Sequence, residues 1–182
     1  MIMYFFWKVL FNSKKIYFHN EFLFKRRWYS NSSTMNGDER YLNSIKIYNL
    51  VWDVFKEFNL FEKYKKILYK KKMSIYLFRY NNIKKEYKEL FFNEMKKDFM
   101  KIFNNTQLYH DFINNIKNPF KQIFLEVLIS ETHEEFDYME LKRENINLKN
   151  NLKKLNSEKI HSTKIRQDIL TSNSWKLTKF LR

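Results

Sequence analysis

Residues 41–58 read YLNSIKIYNLVWDVFKEF, and this stretch decides the fold class. Tyr41, Ile45, Tyr48, Val51, Trp52, Phe55 and Phe58 recur at steps of three and four. That spacing places them on one wide stripe of an α-helix and scatters them over both faces of a strand. Asp38 stands just ahead of the stripe, where its carboxylate can cap the first free backbone N–H groups. A break near Asn59 ends the pattern.

The same periodicity continues downstream. Phe61, Tyr64, Leu68, Ile75 and Phe78 predict a second helix, and Ile83, Tyr87, Leu90, Phe91 and Met95 a third. Leu108, Phe112, Ile113 and Ile116 predict a fourth. Pro119 suits the first turn of a fifth, whose face is Phe120, Ile123, Phe124, Val127 and Leu128. Short links make consecutive helices neighbours, so residues 38–130 are expected to form a helical bundle. From Glu131 aromatics thin out and charges alternate. Leu141, Leu148 and Leu155 are spaced by seven, with Leu152 on the same seam and Asn145 interrupting it. Residues 131–182 therefore read as a long C-terminal helix or short coiled coil. The seam either pairs two chains as a homodimer through Leu141, Leu148, Leu152 and Leu155 or runs along a solvated stalk. Lys159 and Ser162 do not continue it.

Upstream of Asp38 the texture differs. Residues 2–11 are apolar apart from Lys8 and predict a short buried helix. Residues 15–18, Lys-Ile-Tyr-Phe, predict a short strand, with 22–26 pairing back or running on. Residues 29–38 are the clear loop and hold the one Gly of the chain. The whole is expected to be mainly α.

Composition narrows the chemistry. One Gly and one Pro in 182 residues disfavour an all-β architecture and exclude Gly-rich phosphate loops. The absence of Cys excludes disulfides, thiolate catalysis and Cys-based zinc sites. The four histidines are not at metal-ligand spacing, and no Ser/His/Asp arrangement can be argued, so no catalytic or metal-binding residue is assigned. The formal charge of +15 points to an anionic partner. The basicity concentrates around Lys63, Lys65, Lys66, Lys70, Lys71 and Lys72, an expected membrane-surface or anion patch. Lys-over-Arg usage with abundant Asn, Ile and Phe is typical of AT-rich coding, which accounts for part of that bias. The apolar start is far shorter than the roughly 20 residues of a spanning helix and lacks the flanks of a signal peptide. The expected location is cytoplasmic, peripheral at the inner membrane face. One polar constellation stands out: Lys25, Arg26 and Arg27, then Ser30, Asn31, Ser32, Ser33 and Thr34. Guanidinium forks beside hydroxyls suit a diphosphate or a sugar, and equally a solvated basic turn.

Several blocks resemble a known family. Residues 7–18 (WKVLFNSKKIYF), 22–27 (FLFKRR) and Asn31-Ser32 resemble the end of the catalytic domain of family-two glycosyltransferases, bacterial GT-A enzymes of surface-glycan pathways. Residues 61–65 (FEKYK) with Leu68-Tyr69 resemble the helical extension of that family. Residues 172–182 (SNSWKLTKFLR) resemble its closing tail, with Phe180 where the family has Pro. Residues 81–160 match in texture only.

The resemblance implies an α/β remnant of a GT-A domain over 1–36, incomplete as a fold. It implies diphosphate or substrate contacts from Arg26, Arg27, Asn31 and Ser32. The family's nucleotide pocket, its Asp-x-Asp metal site and its Glu-Asp base pair all precede the part resembled here. The chain is therefore expected to be inactive alone and to hold no cofactor, the family's Mn or Mg being bound by the missing part. Expected partners are that missing catalytic half and a membrane surface. The alternative class is a basic helical nucleic-acid-binding or scaffold protein. The charge and interleaved aromatics favour it, but no recognised motif does, and nucleic acid is the weaker partner expectation.

Overall fold

Helical periodicity governs most of the described chain. A computed structural model describes residues 2–17 and 37–172, and among these residues the regular elements are all helical. They are α1 (Ile2–Asn12), a 3-10 turn (Glu39–Leu42), α2 (Asn43–Glu57), α3 (Phe61–Asn82), α4 (Lys85–Phe103), α5 (Thr106–Asn115), α6 (Asn118–Ile129) and α7 (His133–Thr171). The chain divides into two compact units, Met1–Phe136 and Asp137–Arg182.

The first unit is a helical bundle whose boundaries follow local chemistry. Asp38 caps the 3-10 turn, its carboxylate accepting from the Arg40 backbone N–H. Asn59 ends α2 in the left-handed region, with φ of 56°. Asn105 caps α5 by accepting from the Leu108 N–H at 3.0 Å. Pro119 sits in the first turn of α6, where its missing N–H leaves no gap. The Thr132 hydroxyl accepts from Glu135 N–H, and the Glu135 carboxylate accepts from Glu131 N–H, a capping-box arrangement at the start of α7. Gly37 is also left-handed, with φ of 56°. A Cβ there would lie 2.2 Å from the Asn82 carbonyl oxygen, so the end of α3 passes where only a hydrogen fits.

The core is aromatic. Trp52 of α2, Tyr69 of α3, Phe112 of α5 and Phe124 of α6 join in ring contacts of 4.9–6.5 Å. Tyr76 stacks on Phe99, and Phe136 closes over Tyr80 and Phe92. Edge and offset contacts of this kind add about 0.5–1.5 kcal/mol each beyond simple burial. Helix α1 packs on α2 through Trp7 and Phe11, which meet Phe55 at 5.1 and 4.9 Å. The Lys8 ammonium reaches the Glu57 carboxylate at 2.9 Å.

Three expectations change. The strand predicted at 15–18 does not form over Lys15–Tyr17, and Phe18 with residues 22–26 lies outside the described residues. Lys15–Tyr17 pairs with no other described segment, and a lone tripeptide has no ladder to hold it extended. Helix α1 is not buried all round: Phe5, Phe6 and Val9 are exposed. The inner face of α3 is Leu68, Tyr69, Lys72, Met73, Tyr76 and Tyr80, while Phe78 is exposed. The tyrosines win those positions because each hydroxyl finds an acceptor inside: Asp111, Asp98 and the His133 carbonyl.

The second unit is the body of α7. At 1.5 Å per residue the 39-residue helix is about 58 Å long. Leu141, Leu148, Leu152 and Leu155 are 59–60 % exposed.

Candidate functional site

Helix α3 carries the basic run, and helical geometry divides it. Each residue turns about 100°, so neighbours in sequence face different surroundings. Lys63, Lys66, Lys70 and Lys71 are exposed, Lys65 is half-buried, and Lys72 is buried. Ile67 and Phe78 are also exposed, at 59 % and 56 %. Steps of three and four join Lys63, Lys66, Ile67, Lys70 and Lys71 into one outward strip, four ammonium groups around one apolar side chain, and Phe78 lies on the same face about two turns beyond Lys71.

Lys72 does not belong to that strip, which corrects the expected patch. Its side chain is 1 % exposed. Its ammonium donates to the Asn49 amide oxygen at 2.8 Å and pairs with Asp98 at 2.6 Å. Its third direction meets the face of Trp52, 4.0 Å from the ring centroid. The Asp98 carboxylate also accepts from the Asn49 amide at 2.6 Å and from the Tyr76 hydroxyl at 3.0 Å. One network thus ties α2, α3 and α4 together. Burial pulls the Lys72 ammonium below its ordinary pKa, with the Asp98 charge pulling the other way. A lysine with a lowered pKa in a cleft is a candidate base or nucleophile. This one is enclosed by its partners, and its role is to lock helices together. A shallow groove between α2 and α4 is lined by Lys46, Asn49, Lys97, Asp98 and Lys101, but the polar atoms of Asn49 and Asp98 are engaged with Lys72, Tyr76 and each other.

Lys65 is also drawn out of the open strip. Its ammonium lies 2.7 Å from both Glu62 and Asp111. Asp111 accepts in addition from the Tyr69 hydroxyl at 2.7 Å. Burial raises the Asp111 carboxyl, but the hydrogen bonds from Lys65 and Tyr69 outweigh it and hold it below the usual range. Asp98, Asn49 and Asp111 were not singled out from the sequence. The available signal was a charged residue at stripe spacing: Asp98 follows Met95 by three, and Lys72 stands four from both Leu68 and Tyr76.

Arg26, Arg27, Asn31 and Ser32 lie outside the described residues, as do the tail residues 173–182. Among the described residues no cluster of three or more His, Asp or Glu is placed to hold a metal ion, and no helix is long and apolar enough to cross a membrane. Compared with protein-family models, with curated proteins and with solved structures, the chain has no match.

Proposed function

We propose that this chain is the C-terminal part of a family-two glycosyltransferase, a helical module that serves a catalytic domain encoded upstream. The intact enzyme would transfer a sugar from a nucleotide-sugar donor to a surface-glycan acceptor. The observation that carries this reading is the placement of α1. Its sequence resembles the last helix of the family's catalytic domain. It packs on α2 through Trp7 and Phe11 and leaves Phe5, Phe6 and Val9 exposed. A helix with one apolar side on the bundle and another apolar side outward suits a connector whose outer side the upstream domain covers.

On this reading the divalent metal and the general base belong to the upstream domain, and the bundle contributes position. The outward strip of α3 supplies it. Four ammonium groups around Ile67, with Phe78 farther along the same face, fit an anionic bilayer surface, where a lipid-linked acceptor would lie.

The test is the DNA immediately 5′ of the Met1 codon. An adjoining frame encoding a domain with an Asp-x-Asp motif and a closing Glu-Asp pair is the expected result. A locus without such a frame, together with sugar-nucleotide turnover by purified 1–182 alone, overturns the reading.

A further inference from the structure

The seam on α7 has the side-chain arrangement of a coiled-coil strand. Placing Tyr138 at the first heptad position a puts Asn145 and Leu152 at a as well, and Leu141, Leu148 and Leu155 at d. Tyr138 is 67 % exposed, and the leucines are 59–60 % exposed. Tyr138, Leu141, Lys142, Asn145, Ile146 and Lys149 line one shallow groove along the first part of this seam. We propose that residues 137–158 pair with a second copy of this chain as a parallel, in-register, two-stranded coiled coil. The proposal stands on the seam and its flanking charges, and not on the family resemblance.

The charges beside the seam choose both occupant and direction. In a parallel pair each g position faces the e position five residues later on the other strand. Glu144 at g then faces Lys149 at e of the second copy, and Asp137 stands in the same relation to Lys142. The symmetry of the dimer doubles each pair. An antiparallel pair that matches the same leucines sets Lys142 near Lys149 and Asp137 near Glu158, like against like. It also sets Asn145 against Leu148, burying an amide on an apolar side chain. Only the parallel register brings Asn145 against Asn145, where the two amides bond each other. Leucine at every d position with a polar a position favours two strands over three or four. Lys159 at a and Ser162 at d end the seam.

The test uses the full chain in sedimentation velocity over a concentration series. A monomer–dimer equilibrium is expected, and Leu148→Glu is expected to abolish the dimer over the same range. Glu144→Lys and Lys149→Glu are each expected to weaken self-association, and an equimolar mixture to restore a dimer, because the charges of the two variants complement each other. The chain has no cysteine, so Leu155→Cys reports direction cleanly. Parallel pairing brings the two thiols together and gives a disulfide-linked dimer on oxidation, whereas antiparallel pairing places position 155 opposite Tyr138. A monomer at every concentration, a dimer indifferent to Leu148→Glu, or no cross-link in a dimeric Leu155→Cys chain overturns the proposal.

Discussion

Lys72 and Asp98 show how one pair of side chains can decide whether three helices stay together. Charges taken from water are stabilising only when every donor and acceptor finds a partner. Here the ammonium meets an amide oxygen, a carboxylate and an indole face, and the carboxylate receives three donors. Asp98→Ala is expected to destabilise the first unit by about 3–5 kcal/mol, because it strands a buried ammonium. Lys72→Met with Asp98→Leu removes both charges and is expected to recover most of that loss. Urea unfolding of the two variants beside the parent chain checks this. A double variant no more stable than Asp98→Ala would mean that the network holds the helices through its hydrogen bonds and not through its charge balance. The run of lysines at 70–72 was plain in the sequence, and its division was not. A lysine on an apolar stripe reads as a surface charge until its partner is known, and Asp98 is 26 positions away on another helix.

At the scale of the element, α3 presents two unlike faces. The inner one is tyrosines and the locked lysine, and the outer one is Lys63, Lys66, Lys70 and Lys71 around Ile67, with Phe78 farther along. The chain is expected to co-sediment with vesicles containing anionic lipid in preference to zwitterionic ones. Replacing those four lysines by Gln, or raising the salt, is expected to reduce the preference, since the Debye length falls to about 3 Å at 1 M. Equal binding to both vesicle types would remove the membrane role from α3. Helix ends were legible because they rest on single residues with one physical job: Asp38 as a cap, Asn59 as a stop, Pro119 in a first turn. The phase of α3 was less so. Tyrosine is apolar over its ring and polar at its tip, so periodicity cannot tell whether Tyr69, Tyr76 and Tyr80 lie inward until the acceptors for their hydroxyls are in place.

For the molecule as a whole, the buried tyrosines set a limit on alkaline stability. Burial is the first cause that raises the Tyr69 and Tyr76 phenols above their ordinary value of 10.0, and the Asp111 and Asp98 carboxylates beside them add to it. Burial also raises Tyr48, against the opposing charge of Arg79. Above pH 10 the unfolded chain releases phenolic protons that the folded chain keeps. The unfolded state then binds fewer protons, so stability falls as pH rises. Lys72 acts in the opposite sense below its ordinary value of 10.5, where the unfolded chain holds a proton that burial disfavours in the folded one. Beyond that value its contribution to the slope ends and the tyrosines act unopposed. Thermal melts from pH 8 to 12 are expected to show a midpoint falling most steeply above about pH 10.5. Phenols that ionise near their ordinary value without unfolding would contradict this. The helical bundle was legible at this scale because one period runs through nearly the whole described chain. Which sides of α1 are covered was not, because a helix with Lys8 as its one charged residue has no polar face to mark the outside.

The enclosure of Lys72 gives the chain an internal reporter. Amine-reactive reagents such as acyl esters need a free, uncharged amine in contact with solvent. The exposed lysines of α3 are in contact with solvent in the native state, and Lys72 reaches solvent only when α2, α3 and α4 separate. Its rate of modification, followed by mass spectrometry peptide by peptide, therefore measures how often the bundle opens, while Lys70 and Lys71 beside it in the same peptide calibrate the reagent.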